Sequence, residues 1–357
     1  MADLPVTRRD FVRNGAVAAV GAAAGLSSTL VVRAGNPEQA DTSKILNYNP
    51  KMTYRALGKT GFMISEVALG GHGGKTAEDR VPVLERAVEL GMNYVDNNME
   101  SECEMYGAAM AKSKTAGRDK WFIGFASWPE KITTEFESQL TPAGMMKNIE
   151  ARLKTYKTEM LDLWRPVGAT WGPGQRSIGT LLMVSEKALD MVAGVFEKAK
   201  QQGKVRYLGV SAHNPKVFTR VLKQYPQFSV IIFPYLFLTK ELGGDSLLKL
   251  AQEKNVGVIG LKPFGAGTPF GIKPREIRGK VDPRARVLVK EMLKEPRISA
   301  IIPGVNIVGQ LDENVQGSYE KDQPQTPQDK KALAECTRNY YATLTPDYRW
   351  LHKWQHI

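Results

Sequence analysis

Eight short apolar runs recur between residues 67 and 303, and amphipathic stretches separate most of them. The runs cover 67–72, 92–96, 121–126, 160–164, 205–211, 229–233, 256–261 and 298–303. They are nearly continuous rather than alternating, the pattern of strands buried on both faces. Stretches 78–90, 142–156, 185–202, 215–224, 245–254 and 282–294 read as helices. In 78–90, Val81, Leu84 and Val88 share one face, and Gly91 ends the pattern. Strands alternating with helices predict an α/β chain with a parallel sheet. Eight such units in roughly 260 residues predict a (β/α)8 TIM barrel with a C-terminal extension. An open doubly wound sheet would need Gly-x-Gly-x-x-Gly after the first strand. Gly70-Gly71-His72-Gly73-Gly74 is glycine-rich but wrongly spaced.

Residues 1–34 read as an address. Thr7-Arg8-Arg9-Asp10-Phe11-Val12-Arg13 has the pattern of a twin-arginine export signal, followed by an uncharged Ala/Gly-rich stretch. Val32-Arg33-Ala34 is a plausible small-residue cleavage site. An uncleaved signal would instead give peripheral membrane contact. The expected partner is the twin-arginine export machinery, and the expected location is the bacterial periplasm or cell surface. A linker (35–51), the barrel (52–317) and a tail (318–357) follow. Two cysteines, Cys103 and Cys336, with no Cys-x-x-Cys, exclude a cysteine-held zinc or iron–sulfur site and leave one disulfide possible. The formal charge of +12 is dispersed, with no nucleic-acid-reading motif, so a solvated basic surface and no nucleic-acid partner are expected.

At 52–317 the chain resembles the aldo-keto reductases. Tyr54-Arg55-Ala56-Leu57-Gly58-Lys59-Thr60-Gly61 is similar to their opening hairpin. Leu90-Gly91-Met92-Asn93-Tyr94-Val95-Asp96 is similar to the passage that delivers their catalytic Asp. Gly203 to Ser211, Gly257 to Pro263, and Ile302-Pro303-Gly304 through Asn314 match later segments in order. The branch it most resembles has a C-terminal ferredoxin-like tail, but the cluster cysteines are absent. The resemblance implies carbonyl reduction or alcohol oxidation with NAD or NADP. It also implies a Tyr proton donor, a Lys paired with an Asp, and an orienting His.

Only part of that set is present. Asp96 is in place. Ser101 stands where the Tyr belongs, Ala126 where the Lys belongs, and Arg165-Pro166-Val167 where the His belongs. Tyr106 is expected to be a helix residue. For the cofactor, the resemblance points to Ser211 at the nicotinamide amide, Lys262 to Gly265 near the pyrophosphate, and Glu313 and Asn314 at the adenine. Leu261 replaces a stacking aromatic. Gly304, Val305 and Gln310 stand where residues for a 2′-phosphate are usual, so strong NADP selection is not expected. Glu313 could equally be a helix-surface carboxylate, and Asn314 a helix-end hydrogen-bonding residue.

Barrel sites form at the carboxyl ends of the strands. There the sequence gathers His72, Asp96, Asn98, Arg165, Ser211, His213, Tyr235 and Lys262. His72 or His213 could supply the proton, since histidine titrates near neutrality, or could be an ordinary loop residue. Asn98, Arg165 and Tyr235 are candidates for binding a small-molecule substrate. Arg165 could hold a carboxylate, or pair with Asp162 or Glu100 for structure. Three functions follow. The first is an exported oxidoreductase in which Asp96 and a histidine share proton transfer. The second is an inactive barrel serving as a binding or assembly component. The third is a non-redox lyase or isomerase with His72, Asp96 and His213 around a metal or substrate.

Overall fold

The computed structural model describes residues 41–70, 76–126, 141–168, 186–212, 215–239, 246–271 and 279–343. The export signal, His72, His213 and the tail aromatics Tyr348, Trp350 and Trp354 lie outside the described residues.

The chain opens with an antiparallel hairpin, β1 (Tyr54–Ala56) and β2 (Met63–Ser65). Eight parallel strands follow: β3 (Leu69–Gly70), β4 (Tyr94–Asn97), β5 (Phe122–Phe125), β6 (Leu161–Trp164), β8 (Val205–Ala212), β9 (Phe228–Pro234), β10 (Gly257–Leu261) and β11 (Ala300–Ile302). They pair in chain order from β3 to β11. The ring closes where Ala68 N donates to Ile301 O at 2.9 Å and Ile301 N donates to Glu66 O at 2.9 Å. The predicted barrel is therefore the observed fold. Past Arg165 and Pro166, a two-residue strand β7 (Val167–Gly168) pairs with β8.

Helices cover the sheet: α1 (Ala77–Glu89), α2 (Glu100–Lys112), α3 (Pro142–Thr155), α4 (Glu186–Gln201), α5 (Pro215–Gln224), α6 (Leu247–Glu253), α7 (Arg284–Met292), α8 (Val308–Tyr319) and the tail helix α9 (Pro327–Thr343). α1 starts on a reciprocal cap: Thr76 Oγ1 accepts from Asp79 N, and Asp79 Oδ2 accepts from Thr76 N, both at 3.2 Å. Gly91, at φ +89°, ends it as expected. Its buried stripe differs from the expected one. Arg80, Val83, Leu84 and Ala87 face inward, and Val81 and Val88 sit at the margin. α2 contains Tyr106, as expected. The Glu102 carboxylate accepts from Asn98 N at 2.7 Å and Met99 N at 3.2 Å, which caps the helix.

Two cores result from strand alternation. The outer core lies between sheet and helices. The inner one fills the barrel with Tyr94, Phe122, Leu163, Val230, Ile232 and Ile259, and the hairpin residues Leu57 and Ile64 close it from below. Phe62 stacks on Phe122 at 4.3 Å, and Phe122 on Tyr207 at 6.1 Å. Gly58 permits this floor: at φ +51° its missing Cβ would lie 2.2 Å from Gly257 N. Part of the segment read as a linker meets the same floor, where Asn47 Nδ2 donates to Met92 O and Lys120 O. Both cysteines are buried and free, which removes the possible disulfide.

An ion cluster pins the floor to the barrel wall. Buried Glu66 faces Arg55 Nη2 at 3.1 Å and Lys321 Nζ at 2.9 Å, and accepts from Ser318 Oγ at 2.6 Å. Removing one member strands the others in low dielectric. Glu66→Ala should therefore lower unfolding free energy by about 3–5 kcal/mol, read as a shift in the urea midpoint. An unchanged midpoint would show that the cluster contributes nothing.

Candidate functional site

The site is built on the last inward-facing layer of the barrel. Strand alternation puts Tyr94 and Asp96 on the same face of β4, so Asp96 stands above the aromatic filling. Arg165 leaves the end of β6, and Ser211 faces inward near the end of β8. Arg165 Nε donates to Asp96 Oδ1 at 2.7 Å, and Nη2 donates to Oδ2, a two-pronged ion pair. Nη2 also donates to Asn97 O at 3.2 Å, and Nη1 donates to Ser211 Oγ at 2.9 Å. From below, the Tyr94 hydroxyl donates to Asp96 Oδ1 at 3.0 Å. Gly124 makes room for this: a Cβ there would meet Tyr94 Oη at 2.1 Å and Asp96 Oδ1 at 2.7 Å.

Asp96 and Arg165 are 7% and 2% exposed. Burial pushes the Asp96 carboxyl above its ordinary range, while Arg165 and Tyr94 pull it back. Burial also raises the Tyr94 phenol well above its ordinary value, which keeps it protonated as a donor. Arg165 thus takes neither of the partners the sequence suggests. Asp162 is held by Arg118 Nη2 at 2.7 Å, and Glu100 pairs with Arg152. Ser211 accepts from Arg165, which leaves its own O–H available to donate.

Lys262 follows β10 with φ +55°, a left-handed conformation that is strained for a side chain with a Cβ. Burial brings its ammonium down to about 8, and the Glu102 carboxylate across the mouth opposes this. The turn it opens continues through Gly265 (φ +46°), Ala266 (φ +61°) and Gly267 (φ +92°). The tail helix holds this turn. Asn339 Nδ2 donates to Pro269 O at 3.0 Å, and Thr343 Oγ1 donates to Thr268 O at 3.2 Å. On α8, Asn314 is 1% exposed, and neither its amide nitrogen nor its oxygen meets a partner among the described residues. Glu313 Oε2 is likewise buried and unpartnered.

The remaining candidates divide. Asn98 sits half-buried beside Asp96, its N–H taken by Glu102. Tyr235 does not line the mouth. Gly260, which lacks a side chain, lets Tyr235 turn outward: a Cβ at Gly260 would lie 2.8 Å from the Tyr235 Cβ. Tyr235 therefore packs in the helix-facing core. Tyr106 is a buried α2 residue whose hydroxyl donates to Gly70 O at 2.7 Å. Ser101 is exposed on α2, and buried Ala126 directly follows β5. Sequence reasoning missed Tyr94 and Glu102. Tyr94 was legible from its place two residues before Asp96, and Glu102 from its place three residues after Met99.

The ion pair makes a stability prediction. Arg165→Met should cost about 3–5 kcal/mol, because Asp96 is left charged and buried. The double variant Asp96→Leu/Arg165→Met should recover most of that loss in urea denaturation. Lys262 makes a second prediction. Its folded value near 8 lies below the ordinary lysine value of 10.5, so the unfolded chain binds the extra proton between these values. Stability contributed by this group should thus rise with pH from about 8 to 10.5. Lys262→Met should reduce that slope when denaturation is compared at both ends of the window.

Residues 66–289 match the model of the aldo/keto reductase family. An uncharacterized oxidoreductase, YqkF, of Bacillus subtilis is 24% identical over 80% of this chain and 97% of its own length. L-galactose dehydrogenase of Arabidopsis thaliana is 22% identical over 81% and 96%. L-glyceraldehyde 3-phosphate reductase of Escherichia coli K12 is 21% identical over 74% and 87%. Among solved structures, the holo form of aldo-keto reductase AKR11C1 from Bacillus halodurans superposes with a TM-score of 0.59 at 19% identity, covering 84% of this chain and 99% of that one. The family match spans more than half of the sequence and covers the barrel strands from β3 to β10, and the chain belongs to the aldo/keto reductase family.

Proposed function

We propose that this family member is an exported oxidoreductase that interconverts a small carbonyl compound and its alcohol with NAD or NADP, using a rebuilt proton-handling site. Asn314 carries the reading. A buried amide with neither polar atom partnered is costly unless a ligand completes it. It sits beside Glu313 at the positions where the family resemblance places adenine contacts. The residues thus fit a dinucleotide: Glu313 and Asn314 for the base, Lys262 and Gly265 for the phosphates, and the Ser211 hydroxyl as a donor to the carboxamide.

A bound nicotinamide supplies or accepts hydride. The chain's own task is to hold the substrate oxygen and move a proton. Asp96 is engaged on both oxygens, so its role is to fix Arg165 rather than to carry a proton. Arg165, its charge paired with Asp96, contributes guanidinium N–H dipoles beside the mouth, which favour a developing alkoxide. Proton transfer falls to His72 or His213, and burial brings Lys262 into the same range. Asn98 borders the substrate space. The twin-arginine motif directs the folded, loaded protein to the periplasm or cell surface.

One observation favours a second reading. The buried Arg165–Asp96 pair neutralises the one catalytic residue the family pattern retains. An inactive binding or assembly barrel would have that property.

The test uses the full chain recovered from the periplasmic fraction. Retention of an Arg8→Lys/Arg9→Lys variant in the cytoplasm would support the export route. NADH and NADPH are titrated by fluorescence, and a panel of small aldehydes is assayed for turnover. Saturable binding should weaken tenfold or more in Asn314→Leu, and turnover should fall in His72→Gln or His213→Gln. Binding without turnover would select the binding-component reading. Absence of binding by either dinucleotide would overturn the oxidoreductase.

A further inference from the structure

The barrel seam holds a charge that the proposed chemistry does not use. Arg80 is the fourth residue of α1 and opens its buried stripe, ahead of Val83, Leu84 and Ala87, with no exposed surface. Its Nη2 donates to Val305 O at 3.0 Å, in the turn after β11. Its guanidinium carbon lies 5.4 Å from the centroid of the Tyr106 ring. Tyr106 is in turn anchored on Gly70 O, at the end of β3. Arg80 therefore stands at the carboxyl end of the barrel, between the first and last strands. No carboxylate among the described residues pairs with it, and Nε and Nη1 are buried without partners.

A guanidinium has five N–H donors, arranged as two two-pronged edges that share Nη2. Val305 O occupies one Nη2 position. Whichever edge it uses, the other keeps both prongs. The ring face of Tyr106 satisfies part of the charge but none of those donors. A buried cation with an unpartnered two-pronged edge is strongly disfavoured unless an anion completes it. Methionine or leucine would fill an apolar helix stripe without that penalty. Gly304, next to Val305, borders open space, since a Cβ there would meet nothing within 4 Å.

We propose that Arg80 is an anion-binding residue at the barrel seam and that its ligand is a phosphoryl group. Two planar N–H bonds match two phosphoryl oxygens, and the family's hydride chemistry does not require this residue. The phosphoryl group can belong to a dinucleotide or to a phosphorylated substrate, and the two sources are separable.

The full chain is titrated with inorganic phosphate, ADP and glycerol 3-phosphate, each against chloride at matched ionic strength. Thermal unfolding and calorimetry are read, so the result does not depend on turnover. At least one phosphoryl probe should bind saturably and raise the unfolding temperature. Arg80→Met, which fills the stripe with an apolar side chain of similar length, should stay folded and bind at least tenfold more weakly. Arg80→Lys, which keeps charge but loses the two-pronged edge, should fall between the two. A response to ADP over glycerol 3-phosphate identifies the dinucleotide source, and the reverse identifies a phosphorylated substrate. If none of the three probes binds, or if Arg80→Met binds as tightly as the parent, the site is refuted. Should Arg80→Met fail to fold, a parent unaffected by all three probes still refutes it.

Discussion

The buried pair between Arg165 and Asp96 governs the chemistry of the barrel mouth. A desolvated acid and base can persist together only if nearly all their hydrogen-bonding capacity is used. Here Tyr94 supports the acid from below, and Ser211 and the Asn97 carbonyl take further guanidinium N–H groups. Gly124 provides the space for this packing. The result is a polar layer resting on an aromatic filling, with Asp96 acting as a holder. In the family pattern that acid supports a lysine–tyrosine proton relay. Here a permanently charged arginine occupies its oxygens.

Around this layer, the mouth is assembled from pieces distant in sequence. The turn from Lys262 to Gly271 holds two non-glycine residues in left-handed conformations. Such a turn persists when its surroundings over-determine it. The tail helix does so through Asn339 and Thr343, and Arg284 links the same region by pairing with Glu335 and lying 5.7 Å from the Phe270 ring. The tail helix is thus structural support for the seventh strand's loop. Opposite it, Glu102 both caps α2 and acts electrostatically on Lys262.

Which features were legible in the chain follows from their range. The eight strands were, because burial on both faces demands unbroken apolar runs. The end of α1 was, because Gly91 adopts a conformation few other residues tolerate. Arg165 was recognisable as unusual, but its partner lies 69 residues away, and the nearer acids Asp162 and Glu100 looked equally suitable. Tyr235 was misplaced because the space that receives it belongs to Gly260 on the neighbouring strand. Arg80 was overlooked because an arginine on an amphipathic helix normally marks the solvent face.

The sequence by itself determined the barrel and its order of strands, since periodicity and local motifs are properties of short segments. Only the tertiary structure decided that Arg165 locks Asp96, that Tyr235 turns outward and that Arg80 lies buried at the seam. Ion pairing and burial depend on which distant segments meet when the ring closes, and no local pattern encodes that meeting.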